Sequence, residues 1–263
     1  MSNSPVALTI AGSDSGGGAG IQGDLKTFEA LNVFGTAAIT VVTAQNTLGI
    51  NAIHDIPASI VKSQIEAVVS DLAPDAIKVG MLTTVPVIRT VASALRALGR
   101  PVVIDPILVS STGFRVLRGT SIHALVNDLL PLATLVTPNI PEAEALVGFP
   151  LETEADAKAA ARRIQEMGAK AVLLKGGHGT GDVVTDLLLD GRTWFRFTHP
   201  RIESRSTHGT GCALSAAVTA WLARGEPLND AVERAIAFVT RAIERAPGLG
   251  AGNGPLGHRA AAK

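Results

Sequence analysis

Asp105, Glu142 and Lys175 are residue types that handle phosphate. Two carboxylates suit Mg²⁺, which needs only one or two of them beside phosphate oxygens and water, and an ammonium can neutralise charge on a transferring phosphoryl group. Two glycine loops accompany them. In "STHGTGCALSAA", Gly209, Thr210 and Gly211 lead into a helical stretch whose unpaired N–H groups and positive dipole end make an anion site. In "AGSDSGGGAGIQGD", which ends at Asp24, the embedded "GAGIQG" matches GxGxxG, a pattern expected often in a chain with 27 glycines. This first loop is not a P-loop, because Gly18 and Ala19 follow the second glycine where lysine and a hydroxyl residue are required. Nor is it a dinucleotide fingerprint, since the next strand ends in Gln45 rather than an acid for a ribose. Phosphate is therefore expected at the second loop.

A repeating strand-then-helix pattern places these residues together. Apolar runs at "VALTIAG", "TAAITVVTAQ", "AIKVG", "PVVIDP", "ATLVTPN" and "AVLLKGG" read as strands, and Pro57 to Leu72 has helical spacing of its apolar residues. The alternation predicts an α/β fold, a single domain over 1–263 with a mostly parallel sheet and helices on both faces. In "VVTDLLLDGRTWFRFTHP" two strand-like runs meet at Asp190-Gly191, which predicts a small antiparallel edge hairpin. Two helices are expected after it, from about Cys212 to Ala223 and from about Leu228 to Arg245, with a loop-like glycine tail.

Ligands of open parallel sheets bind beyond the carboxyl ends of the strands. The residues just after each apolar run are Gly12 to Asp24, Gln45 and Asn46, Gly80 and Met81, Asp105, Asn139 and Glu142, then Lys175 before "GGH". Taken singly these residues have plainer readings: Met81 as a core filler, Gln45 as a loop cap, either acid as a helix cap, Lys175 as a surface cation. On one sheet edge they resemble a phosphoryl-transfer site.

Composition narrows the partners. Lys+Arg and Asp+Glu both number 23 without a block of like charge, so no nucleic-acid footprint is expected and a small molecule is. No apolar run is long enough to span a bilayer, which argues against a membrane partner. The lone cysteine, Cys212, excludes an intrachain disulfide, and with no secretory pattern the expectation is a cytoplasmic protein. The six histidines lack zinc-site spacing.

With both glycine loops in view, "IAGSDSGGGAGIQGDLKTF", "VVTAQNTLG", "IKVGML", "VIDPILVSSTG", "TPNIPEAEAL", "LLKGGH" and "STHGTGCALSAA" resemble the hydroxymethylpyrimidine/phosphomethylpyrimidine kinases of thiamine biosynthesis, in the ribokinase-like superfamily. The matching blocks run in order over nearly the whole chain. The resemblance implies a homodimer that uses MgATP to phosphorylate a pyrimidine alcohol and then its monophosphate. It further implies a substrate pocket of Gly12, Ala19, Asp24, Gln45, Met81, Val109 and Cys212. The ATP side would use Asn139, Glu142, Lys175, Thr207 and Thr210, with Asp105 and Glu142 toward the metal. Cys212, Lys175, Gly209 and Gly211 would serve catalysis. The chain departs from the family pattern at Ser206, Gly23 and Asn253, none of them a proposed ligand.

Many ribokinase-like enzymes carry an aspartate base where this chain has Cys212. A helix N-terminus lowers a thiol's pKa, so a proton-accepting thiolate there is chemically feasible, as is a small buried cysteine with no such role. The nearest rival reading is a pyridoxal kinase on the same fold. From another class, a nicotinamide-dependent oxidoreductase would follow from "GAGIQG" alone, against which the missing acid after the second strand counts.

Overall fold

A computed structural model of the chain describes residues 4–108, 119–177 and 181–262. Its first strand, β1 (Val6–Asp14), runs two residues past the expected Gly12. Its pairing register shifts between Ala11 and Ser13, so Gly12 lies at an irregularity of the strand. On one side β1 pairs in parallel with β2 (Phe34–Asn46) and on the other with β4 (Ala76–Val79). The order then continues through β5 (Val102–Ile104), β6 (Leu135–Val136) and β7 (Ala171–Leu174), all parallel. The chain thus reverses its direction of travel at β1, and a crevice opens beyond the carboxyl ends of strands at such a switch.

Two antiparallel additions close the nine-stranded sheet. The expected hairpin is β8 (Val183–Asp190) and β9 (Thr193–Pro200), with Asp190 opposite Thr193 and the two-residue turn at Gly191-Arg192, one position later than predicted. At the other edge β3 (Gly49–Asp55), absent from the sequence reading, folds back on β2. None of its residues is buried, so it lacks the apolar alternation that marks a half-buried strand.

Strand residues alternate between two cores. Leu8, Ile10, Ile77, Val79, Val102 and Ile104 face α2 (Ala58–Leu72), α3 (Val85–Arg96), α5 (Ile140–Val147) and α6 (Glu154–Glu166). Ala7, Val103, Leu135, Ala171 and Leu173 face α1 (Gly20–Ala30), α7 (Thr210–Ala223) and α8 (Leu228–Glu244). A short α4 (Thr120–Ala124) joins the first group. Helix α7 is buried from Cys212 to Ala220, as expected for a helix with apolar and small residues all round.

The tail is mostly loop, yet it ends in a one-turn helix, α9 (His258–Ala261), that docks on α1. His258 Nδ1 lies 3.0 Å from Thr27 Oγ1, and Thr27 donates to the Gly23 carbonyl. That hydroxyl therefore accepts the Nδ1 proton, leaving Nε2 as a bare, buried acceptor with no partner among the described residues. Burial, with a lesser effect of Lys26, lowers the His258 pKa to about 4. Since the unfolded imidazole titrates near 6.5, the unfolded chain binds the extra proton first as pH falls. This contribution to stability is complete above about pH 6.5 and disappears by about pH 4, a loss of about 3 kcal/mol in total. Urea midpoints for the parent and for His258→Met, compared at pH 7.5 and pH 5, should show a smaller acid loss in the variant; equal losses would remove His258 from the account.

Candidate active site

The crevice at the switch point holds a cavity of about 770 Å³. Parallel strands deliver its polar groups at their carboxyl ends: Asp105 follows β5, Asn139 follows β6 and Lys175 follows β7. Asn139 and Lys175 are joined across the sheet by an isolated parallel bridge, with the Lys175 N–H donating to the Pro138 carbonyl at 2.9 Å. Adjacent backbone thus sets the two side chains next to one another.

Lys175 Nζ stands 3.0 Å from Asp105 Oδ1 and 3.9 Å from Glu142 Oε2. Burial alone would lower the Lys175 pKa, but these two carboxylates hold the ammonium above its ordinary value. Burial pushes the Glu142 carboxyl up to about 7; Lys175 opposes the rise and Asp105 adds to it. Glu142 is also half of a capping box on α5: its Oε2 accepts the Asn139 N–H at 2.8 Å, while Asn139 Oδ1 accepts the Glu142 N–H at 2.9 Å. Both the cap and the cavity readings of Glu142 therefore apply. Asn139 has committed its oxygen to the cap, so only its Nδ2 end is available to a nucleotide.

Helix α7 points its N-terminus into the same cavity. Its N-cap, Gly209, has φ +84°, and a β-carbon there would overlap the Gly18 carbonyl oxygen of the first glycine loop. Only glycine fits both demands. A β-carbon on Gly211 would lie 3.2 Å from Lys175 Nζ and 3.6 Å from Asp105 Oδ2. Backbone amides of the first helical turn, an ammonium and two carboxylates therefore surround one space. No described side chain caps this helix, and although the Thr210 N–H is donated to the Thr207 carbonyl at 3.3 Å, the N–H groups of Gly211 and Cys212 remain for an anion. Thr207 and Thr210 line the same part of the cavity.

This arrangement fits a magnesium nucleotide. Asp105 and Glu142 are hard oxygen donors in the number Mg²⁺ takes from protein when phosphate supplies the rest. Among the described residues no group of three or more His, Cys, Asp or Glu could hold a metal on side chains alone. Gly12, Ala19, Gln45 and Met81 line the same cavity, as does Cys212 in the first turn of α7.

Residues 14–257 match the sequence model of the family described as phosphomethylpyrimidine kinase. The hydroxymethylpyrimidine/phosphomethylpyrimidine kinase of Bacillus subtilis is 47% identical over 254 residues, covering 96% of this chain and 94% of its own length. Its counterpart in Rhizobium meliloti is 49% identical and covers 96% of both chains. The chain belongs to the phosphomethylpyrimidine kinase family. Among solved structures, an ADP complex of Bacillus subtilis pyridoxal kinase superposes with a TM-score of 0.91 at 39% identity, over 98% of each chain.

Two residues depart from the roles that the sequence suggested within this phosphomethylpyrimidine kinase fold. Asp24 is wholly buried behind the cavity wall, its oxygens taken by Lys78 Nζ at 2.9 and 2.8 Å and by Thr9 Oγ1 at 2.6 Å, so it does not reach substrate. It anchors Lys78, which lies against the cavity with no exposed side-chain surface. Burial works against the Lys78 charge, but the Asp24 carboxylate more than restores it; burial also raises the Asp24 carboxyl, which Lys78 and Thr9 oppose. Cys212 lines the cavity, yet burial pushes its thiol up to about 11, with Asp24 and Asp105 adding to the rise and Lys78 and the Gly20 amide opposing it. Burial thus favours the thiol at neutral pH, which counts against the thiolate-base reading. Val109 lies outside the described residues.

Other cavity residues went unseen in the sequence. Lys78 was legible in principle, as the one charge in the apolar strand "AIKV". Asp186, in "VVTDLLLD", had the same signal: its Oδ1 accepts the Gly176 N–H at 2.8 Å and so braces the turn after Lys175. An apolar part formed by Val184, Ile202, Leu214, Val239 and Ile243 had no sequence signal, because four separate stretches of chain supply it.

Proposed function

We propose that this protein is a phosphotransferase that uses MgATP to phosphorylate 4-amino-5-hydroxymethyl-2-methylpyrimidine to its monophosphate, and the monophosphate to the diphosphate, for thiamine biosynthesis. The observation that carries the reading is the single cavity that Lys175, Asp105, Glu142 and the N-terminus of α7 share with Gly12, Ala19, Gln45 and Met81. The names of its relatives agree.

The triphosphate would lie at Gly209 to Cys212, its base in the apolar part of the cavity. Mg²⁺, held by Asp105 and Glu142, would supply charge neutralisation on the phosphate oxygens. Lys175 neutralises the transferring group, and the α7 amides receive charge from its oxygens. A loose transition state needs positioning more than a strong base, so the protonated Cys212 serves as wall beside the acceptor hydroxyl. Gln45 offers a carboxamide to an aminopyrimidine, which presents ring acceptors beside an exocyclic donor. Met81 gives the ring an apolar contact. The enzyme is taken to be a cytoplasmic homodimer acting on small molecules, with neither nucleic acid nor membrane as a partner; the single cysteine and balanced charge support this, and no helix among the described residues is long and apolar enough to cross a membrane.

A second reading, pyridoxal kinase, draws support from the likeness to the Bacillus subtilis pyridoxal kinase structure. ADP release should be measured with the pyrimidine alcohol, its monophosphate and pyridoxal as acceptors, and the products identified by mass. Turnover of both pyrimidines, well above pyridoxal, is expected. Turnover of pyridoxal alone would replace the first reading with the second.

A further inference from the structure

Four side chains behind the acceptor wall form one hydrogen-bonded chain. Asp14 accepts the N–H of Gly16 on Oδ1 at 2.8 Å, and those of Gly18 and Ala19 on Oδ2 at 3.1 and 2.9 Å. Its Oδ2 also meets His208 Nε2 at 2.8 Å. That same Nε2 lies 3.3 Å from the carboxamide nitrogen of Gln45, whose oxygen is 3.1 Å from Thr43 Oγ1. Thr43 in turn donates to the Ser13 carbonyl at 2.9 Å.

The proton count of this chain has one solution. Burial would raise the Asp14 carboxyl, but the His208 bond and the loop amides together hold it below the usual carboxylate range, so it is an anion and can only accept. His208 must then carry its proton on Nε2. Two donors, Nε2–H and the Gln45 NH₂, cannot face each other. A carboxamide has the same shape when turned through half a rotation, and the hydrogen-bond network decides its orientation. Turned, its oxygen takes the longer arm of a three-centre bond from the His208 Nε2–H, at 3.3 Å beside the 2.8 Å arm to Asp14 Oδ2, and its nitrogen donates to Thr43 Oγ1, whose own proton is already given to Ser13.

We infer that His208, itself fixed by Asp14, locks the Gln45 carboxamide in this orientation and so acts as a positioning residue for acceptor specificity. The inference rests on the pyrimidine reading of the acceptor. Locked in this way, Gln45 presents the cavity with its second N–H as donor and its remaining oxygen lone pair as acceptor. That matches a ring nitrogen lying beside an exocyclic amine. Without His208 only Thr43 holds the carboxamide, and its hydroxyl can donate or accept and so fits either orientation, and discrimination for the amine falls. Because His208 immediately precedes Gly209, the same contact ties the acceptor wall to the start of α7.

The test compares kcat/KM for the aminopyrimidine alcohol and for its analogue lacking the amino group, in the parent enzyme, in His208→Phe and in Thr43→Val. The second variant removes the other anchor of the carboxamide while leaving His208 in place, and serves if the first does not fold. The ratio should fall at least tenfold in both, the loss falling on the aminopyrimidine alcohol and not on its analogue. Independently of activity, ¹⁵N shifts of the parent's His208 ring should report protonation at Nε2. An unchanged ratio in the folded variants, or a bare Nε2, overturns the inference. If the parent turns over neither alcohol, the functional reading falls and this inference with it.

Discussion

Lys175→Ala is expected to lower turnover by about a thousandfold, the scale seen when a donor or cation aimed at a transition-state oxyanion is removed. Two losses combine. The cation that balances the transferring phosphoryl group disappears, and Asp105 and Glu142 are left facing each other without the ammonium that stands 3.0 and 3.9 Å from them. Glu142, which burial already pushes up, would then lose the cation that opposes that rise. Lys175→Arg should restore little, since the guanidinium is broader and a single added carbon on Gly211 would already press on the ammonium at 3.2 Å. The measurement is kcat from ADP release at saturating acceptor, with thermal unfolding to show that the variants fold. Turnover within tenfold of the parent would remove Lys175 from the mechanism.

The second large effect concerns stability. Lys78 and Asp24 have no exposed side-chain surface, and their ion pair spans 2.8 Å between β4 and α1. Lys78→Met leaves a buried carboxylate with Thr9 as its remaining side-chain partner, and breaking a buried pair from one side costs roughly 3–5 kcal/mol. For a chain of this size that corresponds to a fall in Tm of roughly 10 °C. Combining it with Asp24→Asn removes the orphaned charge and keeps an acceptor for Thr9, so the double variant should regain at least half of the loss. A single variant within about 1 kcal/mol of the parent, or a double variant worse than either single, would show that the pair does not hold β4 to α1.

Much of this was legible in the sequence, for a reason that also explains the gaps. Where a parallel strand ends, the next residue must face the crevice, so apolar runs sufficed to collect Asp105, Asn139, Lys175 and Gln45 on one edge. The glycine spacing in "HGTGC" likewise fitted a helix entry, which begins at Thr210. Environment could not be read in this way. Cys212 has the helix N-terminus that would favour a thiolate, but the burial and the two acids that reverse the effect come from β5 and α1. Asp24 sits in the right turn of α1, yet its direction is set by Lys78, 54 residues away. β3 escaped because a strand exposed on both faces has no pattern to detect.

The contact between Asp14 and His208 joins residues 194 positions apart in the chain. At a synthesis rate of 5–20 residues per second, roughly 10–40 s separate the emergence of the first glycine loop from that of its partner. During that interval the nascent amino-terminal half already contains Gln45, Met81 and the Gly12 turn but lacks the segment that closes the wall behind them. Ligand capture on the ribosome is therefore deferred until the last quarter of the chain is made. A transcript cut short before His208 yields a polypeptide that holds Gly12, Gln45 and Met81 but lacks the histidine that meets Asp14 behind them.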